Sequence, residues 1–429
     1  MLFKLKIVYH WLCIKWRGSF SDRTALEQHQ QKHLDAFANE VLTKSRFYAP
    51  YRVNGKFLWE SLPQITKAEF MENFDAINTC GIKKEEAMKL ALESEKSRDF
   101  KSEINGITVG LSTGTSGKRG LFLVSENERA KWTALVLSRV IRPQLFRKQK
   151  IAFFLRANSN LYASVQSALF EFHYFDIFKP IETLLSELNA FKPDVVAAQP
   201  SVLMDIAAEM KSKKVQISPK QIISFAEVLH ESDKAFLFST FAVPIGEVYQ
   251  CTEGFLGYSC KFGTMHLNED FIKVDKEWIE QDKFYPIITD FSRSSQPVVK
   301  YKLNDILQVK ESPCPCGTSL IGIEKILGRD DDVLIFGHTK IYPDLIARRI
   351  ALVCDEFSNY SIIQTGAKAL EVQIDCGQND FETLSKNFDQ AIIELLNEFV
   401  ITGVKLNYKH QVMRNPGSKH RKIMRSTWE

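Results

Sequence analysis

The 429-residue chain lacks most of the features that would set it apart from an ordinary globular protein. Its eight cysteines (Cys13, Cys80, Cys251, Cys260, Cys314, Cys316, Cys354 and Cys376) are too few for a disulfide scaffold, and a chain this long needs none. No stretch approaches roughly 18 uncharged apolar residues, so no membrane-spanning helix is expected. The apolar stretch Ile7 to Ile14 is short and contains His10. Lys4, Lys6, Lys15 and Arg17 flank it, and no small-residue cleavage site follows, so it does not read as a secretory leader. The first 17 residues read as a terminal helix packed on the body, in preference to one lying on a membrane surface. Charge is nearly balanced, 56 cations against 52 anions, and no basic stripe interleaves with aromatics; a nucleic-acid partner is therefore not expected. There is no internal repeat and no low-complexity tract. Together these absences point to a reduced, cytoplasmic globular protein.

What is present is apolar mass and alternation. At roughly 150 residues per domain, the length suggests two or three domains, and 31 phenylalanines can fill a large core. From Ile151 to Tyr249 short apolar strands alternate with helical stretches, the pattern of a mostly parallel α/β sheet. Residues 258–311 read as strands without helices. After Gly337 comes a compact α+β stretch of helices and strands. Between them, Arg329-Asp330-Asp331-Asp332 reads as an exposed charged boundary.

One loop carries a chemical signature. Leu111-Ser112-Thr113-Gly114-Thr115-Ser116-Gly117-Lys118-Arg119-Gly120 holds three glycines, four hydroxyls and two cations. Glycine lets backbone N–H groups turn toward an anion, hydroxyls add donors, and cations offset phosphate charge. It is not a kinase-type phosphate loop: Ser112 stands where the first glycine is needed, and Arg119 where a hydroxyl is needed. No dinucleotide G-x-G-x-x-G spacing occurs.

Ser112 to Lys118 resembles the phosphate loop of the adenylate-forming enzymes, which include acyl-CoA synthetases, aryl acid ligases and adenylation domains. Further matches follow in that superfamily's order. They are Tyr249-Gln250-Cys251-Thr252-Glu253-Gly254, Tyr301-Lys302-Leu303-Asn304-Asp305, Gly328-Arg329-Asp330-Asp331-Asp332 and, near the end, Gly417-Ser418-Lys419. The phenylacetate–coenzyme A ligase branch, with its capsule-biosynthesis relatives, is most similar. It shares the look of Lys192-Pro193-Asp194, Ala226-Glu227-Val228-Leu229, Cys314-Pro315-Cys316-Gly317 and Ile341-Tyr342-Pro343.

The resemblance implies an α/β fold: a large N-terminal mixed-sheet adenylation domain over residues 1–328, a hinge over 329–336, and a small mobile C-terminal α+β lid domain over 337–429. It implies that Ser112, Thr113, Gly114, Thr115, Ser116, Gly117 and Lys118 cradle ATP phosphates, with Arg119 an alternative to Lys118. Thr252 would contact the α-phosphate and Glu253 would hold Mg²⁺. Asp305 would accept from the ribose hydroxyls, with Arg329 near ribose or phosphate. Tyr249 would pack beside adenine, or serve as core. Asp331 would be the hinge residue and Lys419 the catalytic lysine, with Lys422 its alternative. The implied reaction is ATP-dependent activation of a small, aryl-type carboxylic acid to an acyl-adenylate, followed by transfer to coenzyme A or a carrier protein's phosphopantetheine. A ligase making amides or esters directly, and a nucleotide-binding relative without catalysis, are the alternatives. A homodimer is left open.

Cys260, His266, Cys314 and Cys316 offer three thiolates and an imidazole, the donor set of a closed structural zinc site. The strand-like run Phe170, Phe172, His173, Tyr174, Phe175 alternates its faces, so either face can line a substrate pocket or serve as sheet core.

Overall fold

The computed structural model describes residues 2–20, 22–99, 102–112, 119–141, 147–155, 166–167, 169–353, 359–412 and 421–426. Residues 160–169, one of the helical stretches read from the Ile151–Tyr249 alternation, fall almost entirely outside them.

Among the described residues, twelve strands form one mixed sheet. Its parallel half runs Phe170–Asp176, Gln149–Leu155, Val195–Ala198, Gln221–Phe225, Ile245–Cys251. From Ile245–Cys251 onward the pairing turns antiparallel, through Gly254–Ser259, Met265–Leu267, Gly322–Arg329, Asp305–Val309, Lys283–Asp290 and Ile272–Trp278. The chemistry explains the split. Val195–Ala198 is buried at every position, as a strand covered on both faces must be. The antiparallel strand Asp305–Val309 is fully buried only at Ile306 and Leu307.

The parallel half has two apolar faces. On one, Ala152, Phe154, Phe175 and Val196 pack against the helices Ile181–Phe191, Pro200–Lys211 and Glu231–Phe241. Phe154 and Phe175 stack there with ring centroids 4.5 Å apart. The other face carries Ile151, Phe153, Phe172 and Phe225 and meets the helix Glu126–Arg139 through Trp132 and Val136. The alternating run of aromatics is therefore divided, Phe175 to core and Phe172 to the opposite face. Burying one such side chain contributes on the order of 2 kcal/mol.

A separate core gathers Leu334, Phe336, Ile346, Ile362, Val372, Phe388, Leu395 and Ile423. These come from a four-stranded sheet in the order Lys405–His410, Ala369–Asp375, Asn359–Gly366, Ile423–Arg425 and from the helices Pro343–Ala351 and Phe381–Glu398. The C-terminal basic stretch thus contributes a strand: Ile362, Ile363 and Gln364 pair with Ile423, Met424 and Arg425.

The helix Leu2–Arg17 lies on the helix Glu126–Arg139, as expected of a packed terminal helix. Lys6 meets Glu126 at 2.7 Å, and His10 Nε2 lies 3.0 Å from Asn127 Oδ1.

Candidate active site

Strands Ile107–Leu111 and Leu121–Val124 pair antiparallel, with the glycine-rich segment between them in the chain. Ser112 N–H donates to the Gly120 carbonyl at 2.7 Å, and Gly120 N–H donates to Ser112 Oγ at 2.6 Å. Thr113, Gly114, Thr115, Ser116, Gly117 and Lys118 lie outside the described residues, as does Lys419. Arg119 is committed elsewhere, in an ion pair with Glu95.

Tyr249, Asp305 and Arg329 converge on one cleft of about 600 Å³. The Tyr249 hydroxyl donates to Asp305 Oδ2 at 2.7 Å. Burial, reinforced by the Asp305 charge, holds that phenol well above its ordinary range, so it stays a donor. Asp305 and Arg329 are strand partners, with Arg329 Nε 3.5 Å from Asp305 Oδ1. Burial opposes the Arg329 charge, but Asp305, Asp332 and Asp331 outweigh it and raise the guanidinium.

Glu253 follows the bulged end of strand Ile245–Cys251. Tyr301 donates to its Oε1 at 2.6 Å. Arg293, which is buried, donates to the carbonyls of Thr252 (3.1 Å) and Glu253 (3.0 Å) and to that of Leu123 (3.0 Å). One guanidinium therefore ties the Thr252-Glu253 turn to the strand that leaves the glycine-rich loop. Glu128 fixes the loop that carries Arg293: its carboxylate accepts from Ser294 N–H at 2.6 Å and Ser295 N–H at 3.0 Å while closing the capping box with Ser125. Lys67 sits on the other side of Glu253; burial lowers its pKa, with the Glu253 charge opposing.

Beside the cleft opens an apolar cavity of about 300 Å³. Phe153 and Phe225 stack at 5.1 Å, Phe172 lies 5.5 Å from Phe153, and Trp132 and Leu155 add to the lining. Ala226, Val248, Gln250 and Cys251 line both spaces, so the two join there. Ala226 has φ +71°, a costly conformation for alanine and one that turns the chain at the junction.

The boundary run differs from its sequence reading. Residues 330–332 form a 3₁₀ turn, and Asp332 is buried, not exposed. The reason is pairing: Arg421 takes Asp332, Tyr285 takes Asp330, and Asn304 Nδ2 donates to Asp331 Oδ1 at 2.6 Å. Just before the run, Gly328 has φ +115°, and a Cβ there would come within 3.2 Å of Pro343. Lys422 reaches the helix Glu231–Phe241, where its Nζ lies 2.8 and 2.9 Å from the Asp233 carboxylate oxygens. Nearby, burial and then the Lys422 charge push the His230 imidazole down to about 4.

No protein-family profile matches the chain. It is 24% identical over 191 residues to a phenylacetate–coenzyme A ligase of Aromatoleum evansii, covering 39% of this chain and 41% of that one. It is 22% identical over 198 residues to the phenylacetate–coenzyme A ligase of Thermus thermophilus, covering 41% and 43%. These matches therefore span less than half the length of either relative. The fold extends much further. A 2-hydroxyisobutyryl-CoA ligase solved in the postadenylation state with R3-HIB-AMP superposes with TM-score 0.68 at 14% identity, over 94% of this chain and 89% of that one. The chain has the fold of the adenylate-forming ligases. The same ligase in its thioesterification state superposes less well, with TM-score 0.53 over 93% and 88%.

One cluster does not itself line the cleft, although Phe262 to Met265, between two of its members, do. The ligating atoms of Cys260, His266, Cys314 and Cys316 all lie within 4.8 Å of one another. Cys260 Sγ is 3.6 Å from Cys314 Sγ, and Cys316 Sγ is 3.4 Å from His266 Nε2. Zinc–ligand bonds of about 2.3 Å (S) and about 2.0 Å (N) at tetrahedral angles would give separations of about 3.8 and about 3.5 Å. His266 Nδ1–H donates to the Leu320 carbonyl at 3.3 Å, which leaves Nε2 its lone pair. The donor set, spacing and tautomer all fit the metal.

Sequence reasoning missed Arg293, Glu128, Lys67 and the pairing role of Tyr301. Only Tyr301 stood inside a recognisable motif. The other three reach the site from elements far away along the chain, and no local pattern marks them.

Proposed function

We propose that the chain activates a carboxylic acid with ATP, giving an acyl-adenylate and pyrophosphate, and then passes the acyl group to a thiol. The observation that carries this reading is the union of a polar cleft, lined by Tyr249, Asp305, Arg329 and Lys422, with an aromatic-walled cavity. The cleft suits the nucleotide and the cavity suits the acid's apolar body.

In this reading Asp305 accepts from the ribose hydroxyls, and Tyr249 and Arg329 hold Asp305 in place. The carboxylate oxygen of the acid attacks the α-phosphorus at the junction of the two spaces. The bond to the bridging oxygen breaks, and pyrophosphate leaves with the electron pair. Glu253 would hold Mg²⁺, which supplies charge neutralisation at the phosphates when bound. Tyr301 and Arg293 set the position of Glu253. Ser112 to Lys118 would cradle the phosphates, and because Arg119 is paired with Glu95, Lys118 is the favoured cation. Lys419 would meet the α-phosphate and Asp331 would serve as the hinge between residues 1–328 and 337–429. Lys422 and Arg421 then act as latches that hold the small unit against the large one. The better superposition on a postadenylation structure supports this closed arrangement.

Cys260, His266, Cys314 and Cys316 would hold a structural zinc ion. Four protein ligands leave no open position for catalysis. Reduced thiols suit a cytoplasmic setting, and no described helix is long and apolar enough to cross a membrane. The cavity volume sits at the low end of ligand pockets, roughly 300–1,000 Å³, and its stacked phenylalanines favour a small aryl acid. Coenzyme A is the favoured acceptor, with a carrier protein's phosphopantetheine the second.

Mass spectrometry of the protein with ATP, Mg²⁺ and a panel of aryl, fatty and amino acids, with and without coenzyme A, tests the proposal. AMP and a new acyl thioester from one acid class are expected. ADP in place of AMP, or an identical product profile without any acid, would contradict it.

A further inference from the structure

The helix Leu2–Arg17 carries two apolar faces, and the fold uses one. Phe3, Ile7, Trp11 and Ile14 are half-buried, toward the body. The opposite stripe is Leu2, Leu5, Val8, Tyr9, Leu12 and Trp16, at the three- and four-residue steps that align side chains along a helix. Every one of these six is at least half exposed, from 50% for Leu12 to 92% for Trp16. Isolated apolar side chains on a surface need no explanation, but a continuous stripe running the length of a helix does.

The charges beside the stripe say what it fits. The helix has four cations and no carboxylate. At 3.6 residues per turn, Lys4 and Lys15 fall along one edge of the stripe and Lys6 and Arg17 along the other. Lys6 and Arg17 are answered by Glu126 and Asp270 of the body. Lys4 and Lys15 are exposed; Lys15 donates to the Ser138 carbonyl at 3.2 Å and lies over the Trp11 ring, 5.9 Å from its centroid. Two copies meeting through this stripe would bring lysine edges together with no acid on the helix to offset them. An anionic surface would complement the edge and take up the stripe.

We propose that this helix seats the protein on an anionic lipid bilayer, lying in the interface with its outer stripe in the acyl boundary and Lys4 and Lys15 at headgroup level. Tyr9 and Trp16 supply the half-apolar, half-polar rings that favour this depth. Because Lys6, His10, Lys15 and Arg17 fix the helix to the body, the contact orients the whole chain. The inference is independent of the ligase reading.

The test is flotation of the full chain with phosphatidylcholine vesicles, with and without phosphatidylglycerol. Wild type should float with the mixed vesicles and much less with neutral ones or in high salt. Leu5→Glu with Leu12→Glu should lower the bound fraction by about tenfold or more. Lys4→Glu with Lys15→Glu should erase the preference for anionic vesicles. Unchanged thermal unfolding of each variant shows that both lie outside the core. No flotation of wild type, or flotation that the double glutamate variant does not reduce, overturns the proposal. So does a dimer mass by light scattering that reverts to monomer in that variant, which would assign the stripe to a second copy.

Discussion

The Cys/His cluster and the polar cleft both draw on strands of the same mixed sheet, but their polar groups are satisfied in different ways. In the cluster, four ligating atoms face one another and His266 is braced by a backbone carbonyl, all within one unit. In the cleft, Lys422 and Arg421, next to the strand Ile423–Arg425, find Asp233 and Asp332. These pairs tie residues 421 and 422 to positions 89 and 189 residues earlier in the chain. The first arrangement can only hold a structure together. In the proposed two-step reaction the second would be satisfied in one closure of the molecule and released in another.

The largest effects should fall on the cleft. Glu253→Gln should lower acid-dependent ATP consumption by about 10²–10³-fold, while the unfolding midpoint barely moves. Lys419→Ala should lower adenylation by a comparable factor. Lys422→Ala, which loses the latch to Asp233, should lower it less than Lys419→Ala does, while costing about 3 kcal/mol of stability because the pair is largely buried. Equal losses in the two lysine variants would remove the distinction between catalytic lysine and latch.

The cluster should answer in the opposite currency. Cys316→Ser should strip bound zinc, measured by atomic emission, and destabilise the large unit by on the order of 3 kcal/mol. Activity per folded molecule should change little. If activity fell with stability intact, the cluster would belong to the chemistry after all.

Smaller effects sharpen the contrast. Tyr249→Phe removes one donor to the Asp305 carboxylate, worth about 1.5–3 kcal/mol, and should weaken nucleotide binding by about tenfold or more, read by calorimetry. Asp332 gives the smallest signal. Burial, with Arg421 opposing, pushes its carboxyl up to about 6 from the ordinary 3.8. A raised carboxyl contributes stability that is fully present below its unfolded pKa and is lost as pH rises through its folded one. Between about pH 4 and about pH 6 the wild type should therefore lose about 2 kcal/mol relative to Asp332→Asn. Parallel stability–pH curves for the two proteins would show that Arg421 fully offsets the burial.

Much of the fold was legible because local pattern and tertiary role agreed. Ile181–Phe191 and Val195–Ala198 stand where periodicity put them. The helix Glu231–Phe241 was not legible. Its run Ala235-Phe236-Leu237-Phe238 buries Phe236 and Leu237 but leaves Phe238 half-exposed, so it shows no clean helical spacing. Residues 423–425 read as part of a basic tail, yet they complete a sheet whose partner strand begins 64 residues earlier (423 − 359). The site divides the same way. Tyr249, Asp305, Arg329 and the cysteine pairs were visible as motifs. Glu128 was not, because its partners Ser294 and Ser295 lie 166 and 167 residues away. The aromatic cavity was half visible: Phe172 stood in an aromatic run, but the register that brings Phe153 and Phe225 beside it is a property of the sheet.

The measurement that tests the central claim most directly is carboxylate-dependent exchange of labelled pyrophosphate into ATP, with wild type and Glu253→Gln side by side. The account predicts Mg²⁺-dependent exchange with an aryl acid and its near loss in the variant. Exchange that proceeds equally in both proteins, or ATP binding with no exchange for any acid class, would contradict it.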